Sequence, residues 1–523
     1  MSTDVAAVTP AAETVAPRTL TRSASLNAAA SLIEYATKLA VGLVLTPILV
    51  SGLGRTLFGV WEMVNRLIGY VSATDGRPNQ ALRLVIANQQ AVADVVPKRR
   101  YVGAALAVWV GVLPLVTLVG GAIAWYAPVF TNAPPASHAT VRVTAALLIA
   151  TFLLGSLAAI PESVLRGMNL GYKRVGVQAG LSVVGGAISA AAIESGLGLV
   201  GLAASQIARA LLTGVCFWVL VRTYVKWFGV ALPTRADLRA IVDISVWLAA
   251  GDLIAQILLA SDVLILGAVV SPAAVATYAL TGYAARTAVG IHVFTATAAM
   301  PGIGGLIGRH ELGRAARARA ELLTLTWLFV TTVGTAILLW NRSFIALWVG
   351  LEHYAGFTVD VLIVLVATQT AFIRTDGYVI DAALQPRARV AVAAAAAALT
   401  IVLSIPLTMR FGIIGLCVGV LLARATQSIA YPLLTRKRLG PSADGDLTPW
   451  GWARLVLVSA VLFAAAATLG QRTLAATWLL WVAGLLATMA VAAGAGLWLG
   501  LGAADRRLIL HRLDALRRSG LSR

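Results

Sequence analysis

Charge is scarce in this chain of 523 residues: only 12% are Asp, Glu, Lys or Arg. An ordinary soluble domain carries about 25%. So little charge cannot cover the surface of a water-soluble protein of this length, which excludes a soluble enzyme and a disordered chain. Acids are scarcer than bases, 22 Asp+Glu against 41 Lys+Arg, for a formal net charge of +19. Cysteine is almost missing. Cys216 and Cys417 both lie in apolar stretches, and no Cys-x-x-Cys occurs. A disulfide framework and a zinc site are therefore excluded, and both read as small packing residues. The five histidines (138, 292, 310, 353 and 511) are scattered and offer no metal-ligand spacing. No cofactor is expected. What is abundant is apolar: 59% of the chain, with mean hydropathy +0.86. The class is an all-α polytopic membrane protein.

A helix needs about 20 mostly apolar residues to cross the hydrocarbon core. Fourteen stretches qualify: 26–50, 57–86, 102–127, 141–160, 175–193, 198–221, 240–268, 273–302, 322–340, 359–383, 390–408, 412–434, 450–469 and 474–502. Residues 1–25 read as a disordered cytoplasmic tail without the layout of a cleaved signal peptide. Lobes of six helices are expected at 26–225 and 240–435, joined by a cytoplasmic linker at 226–239. A second linker, 436–449, leads to two extra transmembrane helices in 450–502 and a basic cytoplasmic tail at 503–523.

The loops test the count. With the N-terminus inside, cytoplasmic segments hold 27 basic residues, among them Lys98–Arg100, Arg166, Lys173, Arg174, Arg309–Arg319, Arg387, Arg389 and Arg436–Arg438. Opposite segments hold five: Arg55, Arg142, Arg342, Arg410 and Arg472. The asymmetry places both termini in the cytoplasm. It also removes nucleic acid as a partner, since most of the +19 is a topology signal. The basic C-terminal tail is expected to rest on anionic headgroups. The outer loops are too short for a catalytic domain.

The chain repeats itself weakly at a period near 215 residues. Gly54-Arg-Thr-Leu-Phe58 opens the second span and Ser271-Pro-Ala-Ala-Val275 the eighth. Gly198-Leu-Val-Gly201-Leu202 is matched by Gly412-Ile-Ile-Gly415-Leu416, and Tyr172-Lys-Arg174 by Arg387-Ala-Arg389. Ala208-Arg209-Ala210 is matched by Ala423-Arg424-Ala425. Six spans per unit is an even number, so the halves share one orientation about a pseudo-two-fold along the membrane normal. Transporters are built this way, with the substrate path between the halves.

An ionisable residue inside a span is costly and usually faces a cavity or a partner. Asn27, Ser31, Glu34 and Lys38 fall on one stripe of the first span. Glu34 and Lys38 are also spaced for a self-contained (i, i+4) pair. Glu62, Asn65 and Arg66 share a face of the second span, which is broken at Asp75-Gly-Arg77-Pro78. Freed backbone groups at such a break are tolerated where they line a cavity. The seventh span presents Ser245, Asp252 and Gln256, with Asp262 deeper. The eighth carries Arg286, the tenth Arg374, Asp376 and Asp381, and the twelfth Arg424. Arg209 and Arg424 read as helix-to-helix contacts near the cytoplasmic side. Lys38, Arg66, Arg77 and Arg286 would make a cationic cavity suited to phosphate or carboxylate. Glu34, Asp75, Asp252 and Asp376 are candidates for binding a coupling cation, with Asn27, Asn65 and Gln256 as neutral polar groups of the cavity.

Several segments resemble the flippases of polysaccharide repeat units (Wzx-type), in the multidrug/oligosaccharidyl-lipid/polysaccharide exporter superfamily. Leu53-Gly54-Arg-Thr-Leu-Phe58-Gly59-Val-Trp61 is similar to that family's opening of the second span. So are Pro161-Glu-Ser-Val-Leu-Arg166-Gly167 before the fifth span and Ser261-Asp262-Val-Leu-Ile-Leu-Gly267 with Ser271-Pro in the second half. Asp75-Gly-Arg-Pro78 departs from the family's Asp-Leu-Gly-Leu. The resemblance covers roughly residues 26–435. It implies a bacterial inner-membrane flippase for a lipid-linked anionic oligosaccharide carried on polyprenyl pyrophosphate, with a polysaccharide polymerase and glycosyltransferases as neighbours in the pathway. Fourteen spans also resemble the lipid II flippase branch, where the last two helices form a groove for the lipid tail. One alternative is a cation-coupled multidrug or metabolite antiporter of the same superfamily. Another is a membrane-embedded polymerase or glycosyltransferase. None of these readings but the last is an enzyme.

Overall fold

The computed structural model describes residues 17–90, 92–383, 386–440, 449–503, 505–507, 509 and 511, with side chains from residue 32 onward. The side chain of Asn27, most of the N-terminal tail, the 441–448 linker and the last basic residues from Arg512 lie outside what is described. The described chain is all helix and turn. In order the helices are α1 (Pro17–Thr74), α2 (Pro78–Asn88), α3 (Val96–Phe130), α4 (His138–Gly167), α5 (Val175–Glu194), α6 (Gly198–Tyr224) and α7 (Arg235–Val269). Then come α8 (Pro272–Thr281), α9 (Tyr283–Gly308), α10 (Leu312–Trp348), α11 (Phe357–Ala382), α12 (Pro386–Leu439), α13 (Pro449–Arg472) and α14 (Trp478–Ala495).

Eleven helices among the described residues are long and apolar enough to cross a membrane. The count is twelve if Tyr283–Phe294 and Ala299–Gly308, bent by 40°, form one span. The expected fourteen is not reached as separate helices because some inter-span turns are very short. α1 runs for 58 residues and α12 for 54, each interrupted by one glycine outside helical geometry. Gly54 has φ 72° and Gly412 φ 57°, a region that costs a residue with a Cβ about 1 kcal/mol or more. At Gly412 the chain reverses. A Cβ placed on Gly419 would sit 2.7 Å from Cα of Ser404, fifteen positions earlier. A straight helix would hold those residues about 22 Å apart, so α12 is a hairpin.

The arms of α1 diverge. In the first, the Tyr35 hydroxyl donates to the Thr287 carbonyl of α9 at 3.1 Å. In the second, the Tyr70 hydroxyl meets that of Ser261 on α7 at 3.1 Å. The second span breaks where expected: α1 ends at Thr74, Arg77 takes the left-handed conformation, and Pro78 starts α2. α7 is started by a capping box between Thr234 and Asp237, and α8 by Ser271 with Pro272 behind it.

Two groups of helices are evident. α4 packs on α6 and α3, and α5 on α1 and α6. In the second group α11 packs on α12, α9 and α10. α7 touches both, meeting α12 on one side and α1, α2 and α3 on the other. Small residues set the close approaches, as membrane helices require. Gly59 of α1 lies directly on the Pro272 carbonyl, and Gly103 of α3 on the Ala231 carbonyl. α13 and α14 lean on α10. Trp327 Nε1 donates to Ser459 at 2.9 Å and Trp340 Nε1 to Thr488 at 2.8 Å.

Candidate substrate site

The polar stripe on α1 folds into a closed network. Glu34 accepts from Lys38 at 2.7 Å and from Arg174 at 3.0 Å. Arg174 also reaches Glu162 at 3.0 Å, and Glu162 takes Arg166 at 2.7 Å. Two carboxylates from α1 and α4 thus hold three cations, and the turn before α5 is pinned against both helices.

At the α1–α2 break, Arg77 forms an ion pair with Asp252 of α7 and donates to Ser72. The local turn prepares it. Asp75 Oδ1 accepts the Arg77 backbone N–H at 2.8 Å, and its Oδ2 accepts the Ser156 hydroxyl at 3.1 Å. Gln256, one turn beyond Asp252, packs against Gly69. Asn65 donates to the Trp61 carbonyl of its own helix. Arg66 is half-buried and has no hydrogen bond or ion pair among the described residues. Arg286 is exposed and donates to the Ala279 carbonyl across the α8–α9 break.

Beyond Asp252 a cavity of about 480 Å³ opens between α2, α7, α11 and both arms of α12. Arg374, Arg389 and Arg424 line it, with Gln80, Gln427 and Asp252. Arg424 is buried and donates to the Thr370 hydroxyl at 2.8 Å and the Leu258 carbonyl at 2.6 Å, both neutral. Arg374 has no partner among the described residues, and Arg389 pairs with Asp381. With their partners the charges are four arginines (77, 374, 389, 424) against two aspartates (252, 381), an excess of two positive charges. A second cavity of about 480 Å³ shares Ile373, Gln427 and Tyr431 with the first and adds Gln369, Trp452 and the Arg319–Asp376 ion pair at 2.7 Å.

A third cavity of about 600 Å³ lies between the first arm of α1, α9, α10 and α14. Its walls are apolar and rich in aromatic rings, including Phe329, Trp340, Trp348, Trp478 and Trp481. Trp348 Nε1 donates to the Leu43 carbonyl at 2.7 Å and so joins α10 to α1 across its rim.

Lys38, Arg66, Arg77 and Arg286 line none of these three cavities. Arg77 borders the first through Asp252. The cations that do converge come from the second half. The hint in the sequence was the echo of Arg174 in Arg389 and of Arg209 in Arg424, 215 residues apart in each case.

With this arrangement in view, comparison with known proteins is direct. The profile of the polysaccharide biosynthesis protein family matches residues 27–306, more than half of the chain. No curated protein sequence matches significantly. Among solved structures, an inward-facing multidrug resistance MATE family transporter of the MOP superfamily superposes with TM-score 0.66 at 13% identity, over 77% of this chain and 98% of that one. The lipid II flippase MurJ in an inward closed conformation gives TM-score 0.66 at 11% identity, over 89% and 98%. An outward-facing MATE family transporter gives TM-score 0.53 at 14% identity, over 80% and 95%. The fold is that of these multi-pass membrane transporters, and the chain belongs to the polysaccharide biosynthesis protein family.

Proposed function

We propose that this protein is a flippase moving a polyprenyl-pyrophosphate-linked oligosaccharide or polysaccharide repeat unit across the bacterial inner membrane by alternating access. The observation that carries the reading is the cationic cavity of Arg374, Arg389 and Arg424 in the same molecule as an apolar groove beside α14. A pyrophosphate needs guanidinium donors, and a polyprenyl chain needs a dry, lipid-like wall. Neutral amides and aromatic rings in the adjoining cavity (Gln369, Tyr431, Trp452) suit sugar hydroxyls and ring faces.

In this reading the two six-helix lobes rock about a pseudo-two-fold. α1 and α12 each cross the membrane twice, turning at Gly54 and Gly412, which brings the crossings to fourteen with both termini in the cytoplasm. The better superposition on the inward-facing than on the outward-facing MATE structure supports a cavity open toward the cytoplasm. Arg77 stands at the edge of the site, and Arg66 is a free cation for the opposite lobe. Lys38 and Arg286 join only after release from Glu34 and the Ala279 carbonyl. Asp252 and Asp376 are the acids best placed to couple cation movement to the cavity. A polymerase and glycosyltransferases of the same pathway are the partners.

The test is a deletion strain rescued with variants. Loss of the protein is expected to leave lipid-linked repeat units unpolymerised on the inner leaflet. Arg374→Ala with Arg424→Ala is expected to fail to rescue while still reaching the membrane. Full rescue by that double variant removes the site assignment. A drug-resistance change without accumulation of lipid-linked units favours the antiporter reading.

A further inference from the structure

Most acids that the bundle draws inward are matched with cations. Glu34, Glu162, Asp252, Asp376 and Asp381 each have a Lys or Arg partner. Asp360, in the first turn of α11, has none. It is 2% exposed. Its Oδ1 accepts from Asn341 Nδ2 at 2.7 Å and its Oδ2 from the Tyr354 hydroxyl at 3.1 Å. Both donors are neutral.

The charged groups around it are turned elsewhere. Arg342 of α10, half-buried, donates to the Gln471 carbonyl. His353, in the loop before α11, faces Glu352 at 3.4 Å. Tyr278 of α8 donates to Asp262. Burial pushes the Tyr354 hydroxyl well above its ordinary range, so it remains a donor. The start of α11 favours an anion, but a helix N-terminus contributes at most about 2 kcal/mol. Burying an uncompensated carboxylate costs several kcal/mol. Burial favours the neutral acid and the two donated hydrogen bonds favour the carboxylate, so the site is poised between the two forms.

We infer that Asp360 is a proton-binding site at the start of α11, between α8, α10 and the loop before it. The proton secures a joint. Asn341, which bonds Asp360, also donates to the Thr281 carbonyl at the end of α8, at 2.9 Å. The Thr281 hydroxyl accepts the Ala355 backbone N–H at 2.9 Å, so the α8–α9 break, α10 and the 349–356 loop meet at one carboxyl. Asn341 is also part of the apolar groove wall. Losing the proton places an anion among these groups, and the joint loosens toward water or toward Arg342. The inference does not depend on what the protein carries.

Infrared difference spectroscopy of the full-length protein in D2O at neutral pH tests it. Wild type is expected to show a carboxylic-acid carbonyl stretch that Asp360→Asn loses and Asp376→Asn keeps. Tyr354→Phe, which leaves the carboxyl in place, is expected to shift that band without removing it. This keeps the test valid even if Asp360→Asn folds poorly. A wild-type spectrum with only carboxylate at Asp360, or a band unchanged by both Asp360→Asn and Tyr354→Phe, overturns the inference. So does a band that appears only when sodium is replaced by choline, because the site would then hold a metal cation.

Discussion

The repeat read from the sequence sets Arg174 against Arg389 and Arg209 against Arg424, and the structure surrounds the members of each pair differently. Arg174 is held by two carboxylates, Glu34 and Glu162, and little of it is exposed. Arg389, its counterpart, has one carboxylate and faces a cavity. Arg209 lies exposed along Gly185, whereas Arg424 is buried on two neutral acceptors beside Arg374. Arg174 spends its charge holding α1, α4 and the turn before α5 together, while Arg374 and Arg424 keep theirs beside an empty space. A matching position in the sequence therefore does not fix whether its cation is neutralised.

The comparison is broken most severely at Arg174. Arg174→Met takes from Glu34 and Glu162 the cation they share, losing two charge-assisted bonds worth about 1.5–3 kcal/mol each while Lys38 and Arg166 remain. Thermal unfolding in detergent should show this as a large loss of melting temperature. Next are the two hairpins. α5 and α6 are tied by the Ser189 and Ser205 hydroxyls at 2.8 Å, while the matching crossing in α12 is Gly419 against Ser404. Gly419→Ser forces a Cβ into backbone and is expected to cost about 1–3 kcal/mol. Ser205→Gly, the reverse exchange, loses the hydroxyl's bonds to Ser189 and to the Leu202 carbonyl and some helix propensity, about 1–2 kcal/mol. The same melting measurement should rank them in that order.

Arg374→Ala sharpens the contrast from the other side. With no partner to orphan, it should leave stability within about 0.5 kcal/mol. Binding of inorganic pyrophosphate, followed calorimetrically, should weaken by about tenfold, or about 1.4 kcal/mol. Lys38→Ala is the smallest effect. Its side chain is 52% exposed, and such a pair is worth at most about 1 kcal/mol. A stability loss at Lys38 as large as at Arg174 would show that the network is not organised around the arginine.

Features carried by local chemistry were legible in the sequence. Asp75-Gly-Arg-Pro78 broke the second span because proline removes a donor and disfavours helix in the residue before it. Ser271-Pro272 started α8 for the reason any Ser-Pro pair starts a helix. The Glu34–Lys38 pair followed from spacing alone. The separate-helix count was not legible, because a turn of one glycine leaves almost no polar gap between two spans. Nor was the fate of each cation. Arg66 and Arg77 sit eleven residues apart in similar surroundings, yet only Arg77 meets an acid, since only α7 brings Asp252 to it. Pairing is decided by which distant helix arrives, and periodicity within one helix carries no record of that.

The contact of Gly59 on the Pro272 carbonyl has a mechanical meaning. It is a bearing without a side chain, set near one end of the second arm of α1 and the start of α8. The segment from Gly59 to Thr74 is a rod of about 22 Å. A tilt of about 10° at the bearing would carry its far end, next to Arg77 and Asp252, through about 4 Å. That travel is enough to part an ion pair while the backbone at Gly59 scarcely moves.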